Sequence, residues 1–323
     1  MRYRVLGRTG LRVSVLGVGG HEYRRWLPRR RNLEEFMRTQ PERDRLIERA
    51  LEAGVNYFDT THIEEVESLG LALKELDKGR GKIHISIMSF TPFKTMAENP
   101  ASKWVDLITE DVDSRLRLLN SDYADILMIF SPESEFSGRR LEAMLGIFKG
   151  LREDGKVRYL GASSHDLRFL AEVMRRYDCF DVVMVRYNYH LQEAREVVFP
   201  LAKALNVGVV VMKPFSWPYY GIPFMRFGPV EGEETGDYTP AQICLRWILN
   251  SPEVATIVPG MNSLEELEEN LASITKEGEI DEGVLKRYLE VALSRKGKER
   301  LKEMLRDPAP DIRHYAEAAL STL

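Results

Sequence analysis

Eight short apolar runs, spread over the first 260 residues, limit most strongly what this chain can fold into. They are VSVLGVGG (13–20), VNYFDT (55–60), KIHISIMS (82–89), ADILMIFS (124–131), VRYLGASS (157–164), DVVMVRYN (181–188), VGVVVMKP (207–214) and VATIVPG (254–260). Each is too short for a helix and too continuously apolar for a sheet with one wet face. That pattern suits parallel strands buried on both sides. Amphipathic helical patterns lie between them. DRLIERALEAG (44–54) places Leu46, Ile47, Ala50 and Leu51 on one face and stops at Gly54. LEAMLGIFKGLREDG (141–155) behaves alike, and TPAQICLRWILN (239–250) opens with Thr239 as N-cap and Pro240 in the first turn.

Eight strands alternating with helices predict an α/β fold, a (β/α)8 TIM barrel. A doubly wound sheet is the competing topology, but its G-x-G-x-x-G turn is missing, because GVGGHE (17–22) does not fit. The opening MRYRVLGRTGLRV predicts a short N-terminal hairpin ahead of the first strand. From about residue 279 the sequence is helical in pattern and highly charged. The expected organisation is therefore a barrel over 1–278 and a C-terminal helical extension over 279–323 packed on it.

Composition narrows the function classes. A formal net charge of −4 and a pI near 6.0 do not call for a polyanionic partner, so no nucleic acid is expected. Cys179 and Cys244 are the two cysteines and form no CxxC pair, which argues against a disulfide framework or a metal site. There is no apolar h-region at the N-terminus and no run of 18 apolar residues, so the expectation is a cytoplasmic protein with no membrane partner. It would act as a monomer or small homo-oligomer on a small-molecule ligand.

Several segments resemble the aldo-keto reductases. The carriers are RYRVLGRTGLRVSVLGVGG, ALEAGVNYFDT, SRLRLLNSDYADILMI, LREDGKVRYLGASSHD, VRYNYH, VGVVVMKPF and VPGMNSLEELEEN, in family order over roughly 1–275. MKP and VPGMNSLEELEEN are most similar to a prokaryotic branch that often carries a C-terminal iron–sulfur cysteine cluster, and the tail here has no cysteine. The resemblance implies a site at the C-terminal ends of the strands, NAD(P)H as cofactor, and reversible hydride transfer between nicotinamide and a carbonyl. It also implies a tetrad of Asp, Tyr, Lys and His, in which the tyrosine protonates the carbonyl oxygen.

Carried over residue by residue, that tetrad is broken. Asp59 is in place, but the tyrosine position holds Glu64, the lysine position Met88 (Ser89 if the register slips by one), and the histidine position Phe130. No tyrosine lies between Asp59 and Gly81, no lysine between Ile83 and Phe93, and no histidine between Asp125 and Glu135, so a slip does not restore it. Glu64 has two readings: a buried, protonated carboxyl that donates, or an acid in the first turn of a solvated helix. His62 and His165 are candidates for a base near neutral pH, set against a structural role. Lys94 is a loop lysine that would have to swing inward to replace the missing one.

The cofactor contacts are also thinned. Ser163 and Ser164 match the carboxamide-binding pair in part, Met184 stands at the glutamine position, and Met212 at that of the stacking tyrosine. Lys213, Gly260, Asn262 and Ser263 outline a pyrophosphate site at a helix start. With Glu266 and no cation at the adenosine end, NADH is expected ahead of NADPH, or no dinucleotide at all. Standard reductase activity is thus expected to be altered or lost, leaving a pseudoenzyme, a sensor, or an oxidoreductase using Glu64 or His62 as donor. The alternative is a non-redox protein binding a phosphorylated or carboxylated metabolite through Lys213 and the loop Arg24–Arg31, five arginines around Trp26.

Overall fold

The computed structural model describes residues 1–19, 33–76, 81, 83–89, 96–130, 139–189, 191–215, 238–261 and 263–275, with isolated positions beyond. Two strands, β1 (Tyr3–Val5) and β2 (Arg12–Ser14), pair antiparallel as the expected hairpin. Eight parallel strands follow: β3 (Val18–Gly19), β4 (Tyr57–Thr60), β5 (His84–Ser89), β6 (Ala124–Phe130), β7 (Val157–Ser163), β8 (Val182–Arg186), β9 (Gly208–Met212) and β10 (Val254–Val258). They are hydrogen-bonded in sequence order. Parallel bridges from Leu16 to Ile257 and from Gly19 to Gly260 bring the two edges together into a nearly closed barrel. At this seam Gly17 N donates to Ile257 O at 2.8 Å and Gly19 N to Pro259 O at 2.9 Å. A Cβ on Gly19 would lie 2.5 Å from Val258 O, so only glycine allows the approach.

One boundary differs from the sequence reading. The apolar run 13–20 is not one strand: Val13 and Ser14 belong to the hairpin, and only Val18–Gly19 forms the first barrel strand. Apolarity marked the run as buried, but hairpin and barrel residues are buried alike, so composition did not show the break.

Helices α1 (Leu33–Glu52), α2 (Ile63–Glu75), α3 (Trp104–Leu119), α4 (Arg139–Glu153), α5 (Leu167–Tyr177), α6 (Glu193–Val197), α7 (Phe199–Leu205), α8 (Pro240–Leu249) and α9 (Leu264–Thr275) connect the strands. Thr239 caps α8 as read from sequence, with its hydroxyl accepting from Gln242 N while Gln242 Oε1 accepts from Thr239 N, both at 3.3 Å. Gly54, at φ +86°, ends the turn after α1 in the left-handed region.

Side-chain alternation along the strands makes two cores. The larger lies between sheet and helices. The smaller fills the barrel and includes Tyr57, Met88, Ile126, Met128, Val182, Met184 and Val210, with Leu6 and Val13 of the hairpin closing its N-terminal end. Arg4 fixes that plug by donating to the carbonyls of Leu249, Ser251 and Val254, and Arg8 by donating to Phe180 O and pairing with Asp178 and Asp181. The hairpin therefore seals one end of the barrel and leaves the C-terminal strand ends as the mouth. The extension expected over 279–323 lies almost wholly outside the described residues, although Leu305 packs partly buried against the larger core.

Candidate functional site

Because all eight strands run parallel, their last residues converge at one end, and the inward-facing side chains there line the mouth. Asp59 is one of them. It pairs in register with Ser86 of β5 and Gly19 of β3, and is 6% exposed. Its Oδ1 is buried without a hydrogen-bond partner, as are Tyr57 Oη and Ser86 Oγ. Tyr57 and Ser86 sit one inward position deeper on β4 and level with Asp59 on β5, respectively. Burial raises the Asp59 carboxyl from its ordinary value of 3.8 to about 7, with the nearby Ser86 hydroxyl pulling it back down. The Tyr57 phenol is pushed well above its ordinary value by burial, and by the charge of Asp59 second.

Met88 is the last inward side chain of β5 and belongs to the barrel-filling cluster. Ser89 instead faces the helices and donates from Oγ to Asp111 Oδ2 at 2.6 Å. The register question left open by the sequence is thereby resolved: methionine occupies the inward position. Among the described residues no cation lies within ion-pair distance of Asp59.

The turn after Asp59 is held from three sides. Thr60 Oγ1 donates to Ser86 O at 3.0 Å. The backbone N–H groups of Thr61 and His62 donate to Glu65 Oε2 at 2.6 and 2.9 Å. Arg115, buried and paired with Asp111, donates to Thr61 O at 3.4 Å. His62 is thus the N-cap residue of α2, and Glu64 sits half-buried in its first turn. The buried acid of this turn is Glu65, 3% exposed, which satisfies the helix start. Its position three after the N-cap is a capping signal legible in the sequence.

The other candidates fall into two groups around the mouth. Ser163 ends β7, in register with Phe130 and Met184, and its buried Oγ has no hydrogen-bond partner. Ser164 is buried and its Oγ accepts from Asp166 N at 3.1 Å, so it serves the start of α5. Lys213 follows β9 with φ +56°, in the left-handed region, and its carbonyl accepts from Asn188 Nδ2 at 3.0 Å. Gly260 bridges to Gly19 at the seam. Ser263 caps α9, accepting from Glu266 N at 3.2 Å. Arg186 ends β8 on the inward parity of Val182 and Met184, and donates to the His165 carbonyl at 3.0 Å. Sequence reading missed it, although alternation along β8 placed it. Asn262, Lys94 and the Arg24–Arg31 loop lie outside the described residues, as does the Phe130 side chain.

These residues fit a nicotinamide dinucleotide in part. Ser163 offers a free hydroxyl for a carboxamide, whereas Met184 is buried and offers no polar atom. Lys213 offers a cation for a pyrophosphate. The start of α9 already carries carboxylates: Glu265 is held below its ordinary value by the backbone N–H at that helix start, then by Ser263. Glu265 and Glu266 place two acidic side chains in the first turn of that helix. Among the described residues no group of His, Cys, Asp and Glu is placed to hold a metal ion, and no helix is long and apolar enough to cross a membrane.

Fold and mouth together define a (β/α)8 barrel with its site at the C-terminal strand ends. The sequence profile of the Aldo/keto reductase family matches residues 32–218 and 231–290, and the chain belongs to that family. Aldo-keto reductases generally bind NAD(P)H. A putative voltage-gated potassium channel subunit beta of Schizosaccharomyces pombe is 24% identical over 330 residues, spanning 90% of this chain and 92% of that protein. An L-galactose dehydrogenase of Arabidopsis thaliana is 23% identical over 295 residues, spanning 84% and 88%. The holo form of aldo-keto reductase AKR11C1 from Bacillus halodurans has the same fold at a TM-score of 0.68 and 22% identity, covering 90% of this chain and 96% of that one.

Proposed function

We propose that this chain binds a small molecule at the barrel mouth, with NADH ahead of NADPH, and that ordinary carbonyl reduction is altered or lost. The observation that carries this reading is a buried Asp59, with no ion-pair partner among the described residues, beside Met88 as the last inward side chain of β5. A tetrad of the family type uses that aspartate to hold a lysine, and the lysine to make a tyrosine acidic. With a thioether in the lysine position, neither effect is available. Glu64 at the tyrosine position lies half-buried in the first turn of α2 and offers no phenol to a ligand.

A bound dinucleotide would supply hydride chemistry. Toward it, Ser163 would hold the carboxamide and Lys213 the pyrophosphate. Titration with NADH and NADPH, read by tryptophan fluorescence, tests the binding half, and turnover of simple aldehydes with either cofactor tests the other. Tight NADH binding without aldehyde turnover supports the proposal, and rapid turnover overturns it. A second reading is an anionic metabolite bound without redox chemistry. Its support is the position of Lys213 just past β9, and it requires inorganic phosphate to compete at the mouth while neither dinucleotide binds.

A further inference from the structure

We propose that Asp59 is itself the proton-bearing group of this site. Its neutral carboxylic acid, backed by Tyr57 and Ser86, would donate a hydrogen bond from the carboxyl to the oxygen of a carbonyl or carboxylate ligand at the mouth. Tyr57 and Asp59 are consecutive inward positions of β4, and Ser86 and Met88 are consecutive inward positions of β5. Three polar atoms of this patch, Tyr57 Oη, Asp59 Oδ1 and Ser86 Oγ, are buried; the Ser86 hydroxyl is near enough to influence both other groups, but none of the three makes a hydrogen bond of good geometry among the described residues. Buried polar atoms in folded proteins are nearly always satisfied, so three adjacent exceptions facing one lumen mark a place where a ligand or solvent completes the set.

The surroundings decide the charge state. On its own strand Asp59 faces Tyr57, a phenol that stays protonated because burial raises it. From β5 come the Ser86 hydroxyl and uncharged Met88, and from β3 comes Gly19, with no side chain. From α2, Glu65 lines a separate small cavity on the helix side of β4, shared by Asp59 with Ile47, Phe58 and Leu69, of about 20 Å³ and room for about one water. Its Oε2 is committed to Thr61 N and His62 N. Ile47 is what α1 contributes to that cavity, with Arg43 directed to Gln40 and Ser68. Arg115 of α3 reaches only the Thr61 carbonyl and is paired with Asp111. Among the described residues no cation pairs with the carboxyl, and desolvation raises its value to about 7. An acid with that value is matched to holding and lending a proton near neutrality. Losing the lysine thus changes the role of Asp59. A carboxylate that would serve a cation becomes an acid that can serve a ligand oxygen directly.

This inference rests on the mouth being a ligand site, and its test separates the two. The probe is pyruvate, which carries both a ketone and a carboxylate. Infrared difference spectra between the wild type and Asp59→Asn report the C=O stretch of a protonated Asp59 without any ligand. The expected result is a protonated-acid band at about pH 6 that vanishes by about pH 8.5 and shifts to lower frequency when pyruvate binds. If the neutral acid is the binding form, pyruvate affinity falls about thirtyfold between those pH values. Asp59→Asn, whose amide still donates, keeps pyruvate affinity and loses the pH dependence, whereas Asp59→Ala loses affinity at both. A site used only for packing moves none of these. Absence of the band at about pH 6, or a band that pyruvate does not shift, overturns the inference even if NADH binds. If the band is present and shifted while neither dinucleotide binds, the inference stands and the dinucleotide reading falls. A ¹³C-aspartate NMR titration of the wild type alone gives the same protonation answer should a variant fold poorly.

Discussion

Replacing Asp59 with Asn removes one ionisable proton from the barrel while keeping shape and hydrogen-bonding capacity, so its effect on stability isolates the cost of charging that site. In the unfolded chain the carboxyl releases its proton near 3.8, and in the folded chain near 7. Below the first value both states are neutral and the group is neutral to stability. Between the two, only the unfolded state ionises, so folding stability falls as pH rises. Above about 7 both states are charged and the loss is complete. At about 1.4 kcal/mol per pH unit the separation sets a ceiling of about 4 kcal/mol. The measurement is urea unfolding of wild type and Asp59→Asn between about pH 4 and 8.5. The variant should gain on the wild type by about 2–4 kcal/mol across that range, with most of the gain between about pH 4 and 7 and a plateau beyond. A stability difference that stays within about 0.5 kcal/mol at every pH, as a solvated carboxyl gives, would refute the reasoning, and so would a variant less stable than the wild type, as an ion-paired one gives.

The same structure gives three further expectations. Met88→Lys places a cation on the inward face beside Asp59, so the protonated-acid band should disappear at neutral pH, and its persistence would show that the two side chains do not meet. Glu65→Ala removes the acceptor of Thr61 N and His62 N, and should cost about 1–2 kcal/mol in denaturant unfolding and loosen hydrogen-exchange protection in the turn after Asp59. Gly19→Ala puts a methyl 2.5 Å from Val258 O and should open the barrel seam at a cost of about 1–3 kcal/mol, with faster exchange at Gly17 and Ile257 as the readout.

How far the sequence could be read depended on which physical signal each residue carried. Burial on both faces made seven barrel strands legible nearly to their ends, and N-cap chemistry at Thr239 located α8. The 13–20 run failed because hairpin and barrel share one apolar continuum through Val13, Val15 and Val18. At the site, alternation identified Asp59 as inward, but choosing between Met88 and Ser89 needed the outward bond from Ser89 to Asp111. Glu64 drew attention by standing at a motif position, whereas the buried acid is Glu65, fixed by its distance from the N-cap. Arg186 and Tyr57 went unread because family motifs do not single them out. The neutral state of Asp59 depends on what surrounds it in space, on β3, β5 and α2, and no local stretch of sequence displays that.

The central claim is that the barrel mouth keeps a ligand site while the proton relay for ordinary carbonyl reduction is gone. Steady-state reduction of a simple aldehyde by the purified protein, at saturating NADH and separately at saturating NADPH, tests it most directly. No cofactor oxidation above the protein-free rate is expected with either. Sustained aldehyde turnover with either cofactor would contradict it.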